Sequence, residues 1–343
     1  MRLFKLKGSL LIVLGLLLGV TCTGIPTVTP APAKVPLVYL PQDDSSHPVK
    51  TEWWYYNGHL TAEDGARYGF HLVVFEVIPP AGGPLVHIAH FAITDHQLRT
   101  YTTDQRLVLA LTELPLEGFR TSVGTWSVSG SGGTDALVAS AGEYKLQLRL
   151  SSSKPAALHD EDGLVEIPQA GSSFYYSRTR MSTNGTLIKK GRRHQVVGEA
   201  WMDHQWGDFV PSVIGWDWFS LQLDDDTEIM LSIVRDKAGK VIHKYGTFVL
   251  ANGRFTHLGP NDFQVKATGS WTSPHTGVTY PSGWRVSLPN TDISLTLTPV
   301  IQEAEFDSRP TTQNLYWEGE VTAKGEKRGQ PLSAVGFVEL VGY

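Results

Sequence analysis

Three short stretches concentrate residues that could do chemistry. They are EWWYYNGH at 52–59, WMDHQWG at 201–207 and GWDWFSLQL at 215–223, and together they hold six of the ten tryptophans. The second packs Asp203, His204 and Trp206 together just before a glycine. A carboxylate or imidazole among Trp and Met must be hydrogen-bonded to sit there, and a desolvated carboxyl tends towards a raised pKa, which suits a general acid. The competing reading is a satisfied structural pair, with Asp203 capping a turn and orienting His204. In the third stretch, strand alternation puts Gly215, Asp217, Phe219, Leu221 and Leu223 on one face. Asp217 is the one acid on that apolar stripe, so it is either a paired structural carboxylate or a functional one. Asp203, His204 and Asp217 are therefore the candidate catalytic residues.

The first stretch divides in the same way. Glu52, Trp54, Tyr56 and Gly58 fall on one side of a regular strand, and Trp53, Tyr55, Asn57 and His59 on the other, so Glu52 and His59 are not expected to act as a pair. Glu52, Trp54, Tyr56, His59, Trp206, Trp216 and Trp218 are candidate ligand-lining residues. For each aromatic among them, a buried wall with no ligand is the alternative. No metal site is expected: the i, i+3 histidines of HIAH, His87 and His90, point to opposite faces of a strand. The sequence has no G-x-S-x-G elbow, P-loop or G-x-G-x-x-G fingerprint, so no cofactor is implied. The acids of DDD at 224–226 read as a solvated hairpin turn.

The elements that must position these residues are strands. Turn signals such as AEDG, GSGG, STNG, KAGK, LPNT and KGEKRG separate short runs rich in Val, Leu, Ile, Thr, Phe and Trp, with almost no helical periodicity. In YGFHLVVFEVI, Tyr68, Phe70, Leu72 and Val74 share one face and Gly69, His71, Val73, Phe75 and Val77 the other. Both faces are largely apolar, as in a strand that lines a barrel on one side and is covered on the other. A weak internal repeat lays the segment from Trp53 over that from Trp216, 163 residues on (216 minus 53). The expected fold is all-β, with two tandem antiparallel barrels covering 39–207 and 208–343.

The N-terminus reads as an export signal. Arg2, Lys5 and Lys7 precede the apolar run LLIVLGLLLGV, too short for a comfortable membrane span, giving a signal peptide over 1–22 and a Pro/Thr-rich linker over 23–38. Cys22, the only cysteine, stands directly after the run. It is either a lipidated mature N-terminus, which would anchor the chain to a membrane, or is removed with the peptide. Without it the mature chain has neither disulfides nor thiol chemistry. A net charge of -5 and no basic run exclude a nucleic-acid partner.

EWWYYNGHL, YYSRTRMSTNGTL (175–187), WMDHQWG, GWDWFSLQLDDDTEIML, WTSPHTGVTYPSGW (271–284), YWEGEV (316–321) and the terminal GFVELVGY resemble, in order along nearly the whole mature chain, the carotenoid 1,2-hydratase and AttH-like family of bacterial lipocalin-like proteins. The resemblance implies two lipocalin-like barrels. For the hydratase branch it implies addition of water to a terminal C=C of an acyclic carotenoid without a cofactor. Asp203, His204 and Trp206 would carry over to that chemistry, with His204 positioning or deprotonating the water. The hydratase branch is expected to have a further Tyr and Asp after the second aromatic hairpin, whereas EIMLSIVRD has no second acid before Asp236. That pattern is closer to AttH-like members labelled predicted secreted hydrolases. The expectation is thus an exported bacterial cell-envelope protein, periplasmic or lipid-anchored. It would bind a lipophilic isoprenoid or acyl molecule and hydrate or hydrolyse it by acid-base catalysis, or, alternatively, carry or scaffold it without turnover.

Overall fold

A computed structural model describes residues 34–78, 83–110 and 117–343. The signal segment and Cys22 lie outside the described residues. The first sheet contains β1 (Thr51–Ala62), β2 (Arg67–Val77), β3 (Val86–Asp95), β4 (Thr100–Leu109), β5 (Phe119–Val123), β6 (Trp126–Ser131), β7 (Thr134–Ala141), β8 (Tyr144–Ser152), β9 (Ala157–Leu158), β10 (Leu164–Ile167), β11 (Gly171–Lys189) and β12 (Arg192–Gly207). The second contains β13 (Ile214–Leu223), β14 (Glu228–Asp236), β15 (Val241–Val249), β16 (Phe255–Leu258), β17 (Gln264–Thr272), β18 (Thr279–Leu288), β19 (Ile293–Pro299), β20 (Glu305–Asp307), β21 (Leu315–Lys327) and β22 (Gln330–Val341). The only α-helix among the described residues is the single turn α1 (Arg309–Thr312).

Both sheets are antiparallel and curl into barrel-like walls, the lipocalin-like architecture. They share one topology. The order β4-β3-β2-β1-β12-β11 in the first is matched by β16-β15-β14-β13-β22-β21 in the second. The segments beginning at Trp53 and Trp216 thus form equivalent opening hairpins, and in each sheet the first strand lies beside the last. The sheet changes between Gly207 and Ile214.

Alternation explains the layering. Even-numbered residues of β1 and β2, including Trp54, Tyr56, Leu60, Phe70 and Leu72, fill the first barrel, while Phe219, Leu221, Trp284, Trp317 and Val338 fill the second. Odd-numbered Tyr55 and Val73 turn outwards to meet Trp201, Trp218, Tyr245 and Phe337 in a third layer between the sheets. At one end of this layer Glu228 accepts from Lys154 Nζ at 2.7 Å, Arg180 Nε at 2.7 Å and Thr179 Oγ1 at 3.1 Å. Arg180 can face it because the β11–β12 register shifts between Arg178 and Met181, a bulge that returns both flanking residues to the first barrel's interior. Where β1 meets β12, Gly198 is required by contact: a Cβ there would lie 1.8 Å from the His59 carbonyl oxygen.

Candidate active site

The three candidate catalytic residues do not converge, because successive strand residues face opposite ways and β12 and β13 belong to different sheets. Asp203 points into the layer between the sheets. Its Oδ2 accepts from the Tyr175 hydroxyl at 2.6 Å, and its Oδ1 from Trp201 Nε1 at 2.6 Å and from the Ser177 hydroxyl. Burial pushes the carboxyl up to about 6, although all three donors work against that. His204 faces the first barrel's interior. Its Nε2 donates to Glu52 Oε1 at 2.7 Å, and its ring stacks on Trp54 with centroids 4.6 Å apart. Asp217 lies on the second barrel's inner side at the start of β13, held by Arg235 Nη1 at 2.6 Å and the Tyr343 hydroxyl at 2.6 Å.

The candidate lining residues divide along the same plane. Glu52, Trp54, Tyr56 and Trp206 are inside the first barrel, whereas His59, Trp216 and Trp218 face the inter-sheet layer. Tyr56 donates to Asp135 Oδ2 at 2.8 Å, and burial raises that carboxyl to about 7. Trp218 donates to the Tyr175 hydroxyl at 3.1 Å, which makes it a support for Asp203.

The layer also holds three carboxylates that the sequence reading passed over. Glu318 and Glu320 on β21 and Glu339 on β22 all turn towards the first sheet, and Glu318 is the direct cross-strand partner of Glu339. Glu320 accepts from His59 Nδ1 at 2.7 Å and His96 Nε2 at 2.6 Å. Burial favours its neutral form, but the two histidines prevail and hold it at about 2, an ionised strut between the sheets. Glu318 Oε1 accepts from the Tyr55 hydroxyl at 2.5 Å, and Asn57 Nδ2 steadies that hydroxyl at 3.1 Å while also bonding Ser220 Oγ at 3.1 Å.

Glu339 differs. Its one side-chain donor among the described residues is Trp216 Nε1, at 2.9 Å from Oε2, and the residue keeps partial exposure. Burial of the carboxyl, with the Glu318 charge next, pushes it up to about 8, so it carries a proton at neutral pH. Beside this pair are polar groups with no partner among the described residues. His71 Nδ1 lies 3.1 Å from Glu318 Oε2 but without hydrogen-bond geometry, leaving both ring nitrogens unsatisfied, and the buried Tyr101 hydroxyl is likewise alone. Phe306 and Tyr316 stack at 5.1 Å and flank His71. Burial and then the Glu318 charge raise Tyr55, Tyr101 and Tyr316 well above the ordinary phenol value, so all three stay neutral. A protonated carboxyl next to a second one, walled by aromatic rings, can donate a proton and stabilise the cation that results. A sequence signal was present in FVEL, where Glu339 alternates with Phe337 and Val341, whereas Glu318 and Glu320 share a face of β21 with each other, Thr322 and Lys324 and carry no such signal.

A family model described as AttH-like matches residues 31–343. The chain belongs to the AttH-like family. Among solved structures, a Nitrosomonas europaea protein assigned as an AttH is 28% identical, covers 91% of this chain and 98% of its own, and superposes with a TM-score of 0.81. Kievitone hydratase from Nectria haematococca is 17% identical, with a TM-score of 0.72 over 90% of this chain and 93% of its own. CghA bound to Sch210972 is 12% identical, with a TM-score of 0.58 over 85% and 88% respectively. At these last two identities the likeness is one of fold. No curated protein matches the AttH-like chain by sequence.

Proposed function

We propose that this chain is an acid-base hydratase acting on a lipophilic, isoprenoid-type alkene in the layer between its two sheets. The observation that carries the reading is the Glu318–Glu339 pair, set among aromatic rings with His71 and Tyr101 left without a hydrogen-bond partner among the described residues. The protonated Glu339 gives its proton to the less substituted carbon of the double bond. The π electrons form the new C–H bond, and the tertiary cation left behind sits against the rings of Trp216 and Tyr316. Water adds its oxygen to the cation, and its proton passes through His71 back to Glu339, so one alkene and one water give one alcohol and the enzyme is restored. Likeness of fold to a kievitone hydratase supports a hydration, and the aromatic layer supports an apolar substrate. On this reading the chain works at the cell envelope, exported by its first 22 residues and held there at Cys22.

The test is incubation of an acyclic carotenoid and of a prenylated phenol with the protein in ¹⁸O-labelled water, followed by mass spectrometry. Gain of one labelled water with wild type and none with Glu339→Gln is expected. Unchanged compound, retained equally by both proteins, would overturn the enzyme and leave a carrier.

A further inference from the structure

We propose that His47, Glu52 and His204 form a binding site for a divalent cation of the zinc type at the mouth of the first barrel. Their donor atoms lie within 4.8 Å of one another. Glu52 Oε1 is the shared centre, 2.8 Å from His47 Nδ1 and 2.7 Å from His204 Nε2. Two imidazoles and one carboxylate are a donor set that suits zinc and leaves a coordination position open. Four-coordinate ligands about 2.1 Å from zinc sit roughly 3.4 Å from each other, so each histidine nitrogen needs to move only about 0.6–0.7 Å away from Glu52 Oε1.

The groups behind the donors are those a metal site requires. A metal-bound imidazole donates its other N–H to a carboxylate, directly or through a neighbour, and that partner fixes ring orientation. His47 Nε2 faces Asp43 Oδ1 at 3.7 Å. His204 Nδ1 faces the Tyr176 hydroxyl at 3.4 Å, and that hydroxyl donates to Asp44 Oδ1 at 2.6 Å. Both outer carboxylates come from one turn, the 3-10 segment Gln42–Asp44, so five residues of loop supply one ligand and both supports. Glu52 Oε2 is steadied by the His47 backbone N–H at 2.8 Å. The rings cannot swing: His47 lies flat on Trp206, with centroids 4.2 Å apart and planes 5° from parallel, and His204 is clamped between Trp54 and Trp206. Glu52 and His204 are fully enclosed, whereas the His47 side chain keeps 19% of its surface, so a cation enters past His47. The proposal is independent of the chemistry at Glu339, which lies in a different layer.

The full chain, stripped with a chelator and dialysed, is titrated with zinc chloride by calorimetry, and cobalt is added in parallel to read the visible absorption of a low-coordinate site. Wild type is expected to bind one equivalent at micromolar or lower zinc. His47→Ala, the most exposed change and the least able to unfold the barrel, is expected to weaken binding at least a hundredfold, and Asp43→Asn about tenfold. His275→Ala, which removes the exposed His275–Glu303 pair on the second sheet, is expected to change nothing. Absence of stoichiometric binding in a wild type of normal circular dichroism, or full retention in His47→Ala, would overturn the site and leave a hydrogen-bonded cluster.

Discussion

Glu320→Gln tests whether charged struts hold the two sheets together. The substitution preserves shape and removes only the charge that His59 and His96 share. A folded-state pKa of about 2 against an ordinary 4.5, at about 1.36 kcal/mol per pH unit, corresponds to about 3 kcal/mol at neutral pH. The sign follows from the depression. The contribution is fully present above pH 4.5 and is lost as pH falls through about 2, where both proteins carry a neutral group between the histidines. Urea unfolding followed by tryptophan fluorescence at pH 7, 4 and 2.5 should therefore show a gap of about 3 kcal/mol that closes with acid. At roughly 2 °C per kcal/mol, the melting temperature at pH 7 should drop by about 6 °C. Other buried acids, Glu339 and Asp203 included, are common to both proteins and cancel in the difference. A gap of constant size across pH would refute the reasoning, since packing and neutral hydrogen bonds do not titrate in this range.

Three further outcomes follow from the same geometry. Turnover by wild type should fall as pH rises through about 8, because Glu339 is the donor only when protonated; Glu318, His71, Tyr55, Tyr101, Tyr316 and Asp203 are the titratable groups around it, and a rate rising through that pH would remove Glu339 from the role. Gly198→Ala should cost more than about 2 kcal/mol in thermal or chemical denaturation, since its methyl group would overlap the His59 carbonyl and two paired strands would have to separate. Tyr55→Phe leaves Glu318 Oε1 without its donor and should cost about 1–3 kcal/mol, measured by the same urea titration.

Much of the fold was legible because strands have a fixed period of two. The assignment of Trp54 and Tyr56 to one face and Tyr55, Asn57 and His59 to the other follows from alternation, and β1 is regular over its whole length. The two apolar faces of YGFHLVVFEVI likewise correspond to the barrel interior and the inter-sheet layer. The site was less legible, for two physical reasons. Proximity in sequence misleads on a strand, and Asp203 and His204, adjacent in the chain, end in separate layers. The partners that matter also come from far away: Glu318 reaches Tyr55 across 263 positions, and Glu320 reaches His59 across 261. The rule that singled out Asp217, an acid on an apolar stripe, applies to Glu339 beside Val335, Phe337 and Val341, but not to Glu318 and Glu320, which share their face with Thr322 and Lys324. His47 offered no comparable signal, since a histidine in a Pro/Ser/Asp loop is ordinary until the barrel closes over it.

The placement of β22 governs how this protein can be made. Its twelve residues follow every other strand of the second sheet in the chain, yet they lie between β13 and β21 rather than at an edge. As the chain emerges, β13 to β21 appear before the strand that joins them, so two exposed edges wait until β22 has followed. The same twelve residues carry Glu339. A chain that stops before β22 would lose the seam of its second sheet and its proposed proton donor together, so such copies would be both inert and prone to aggregation.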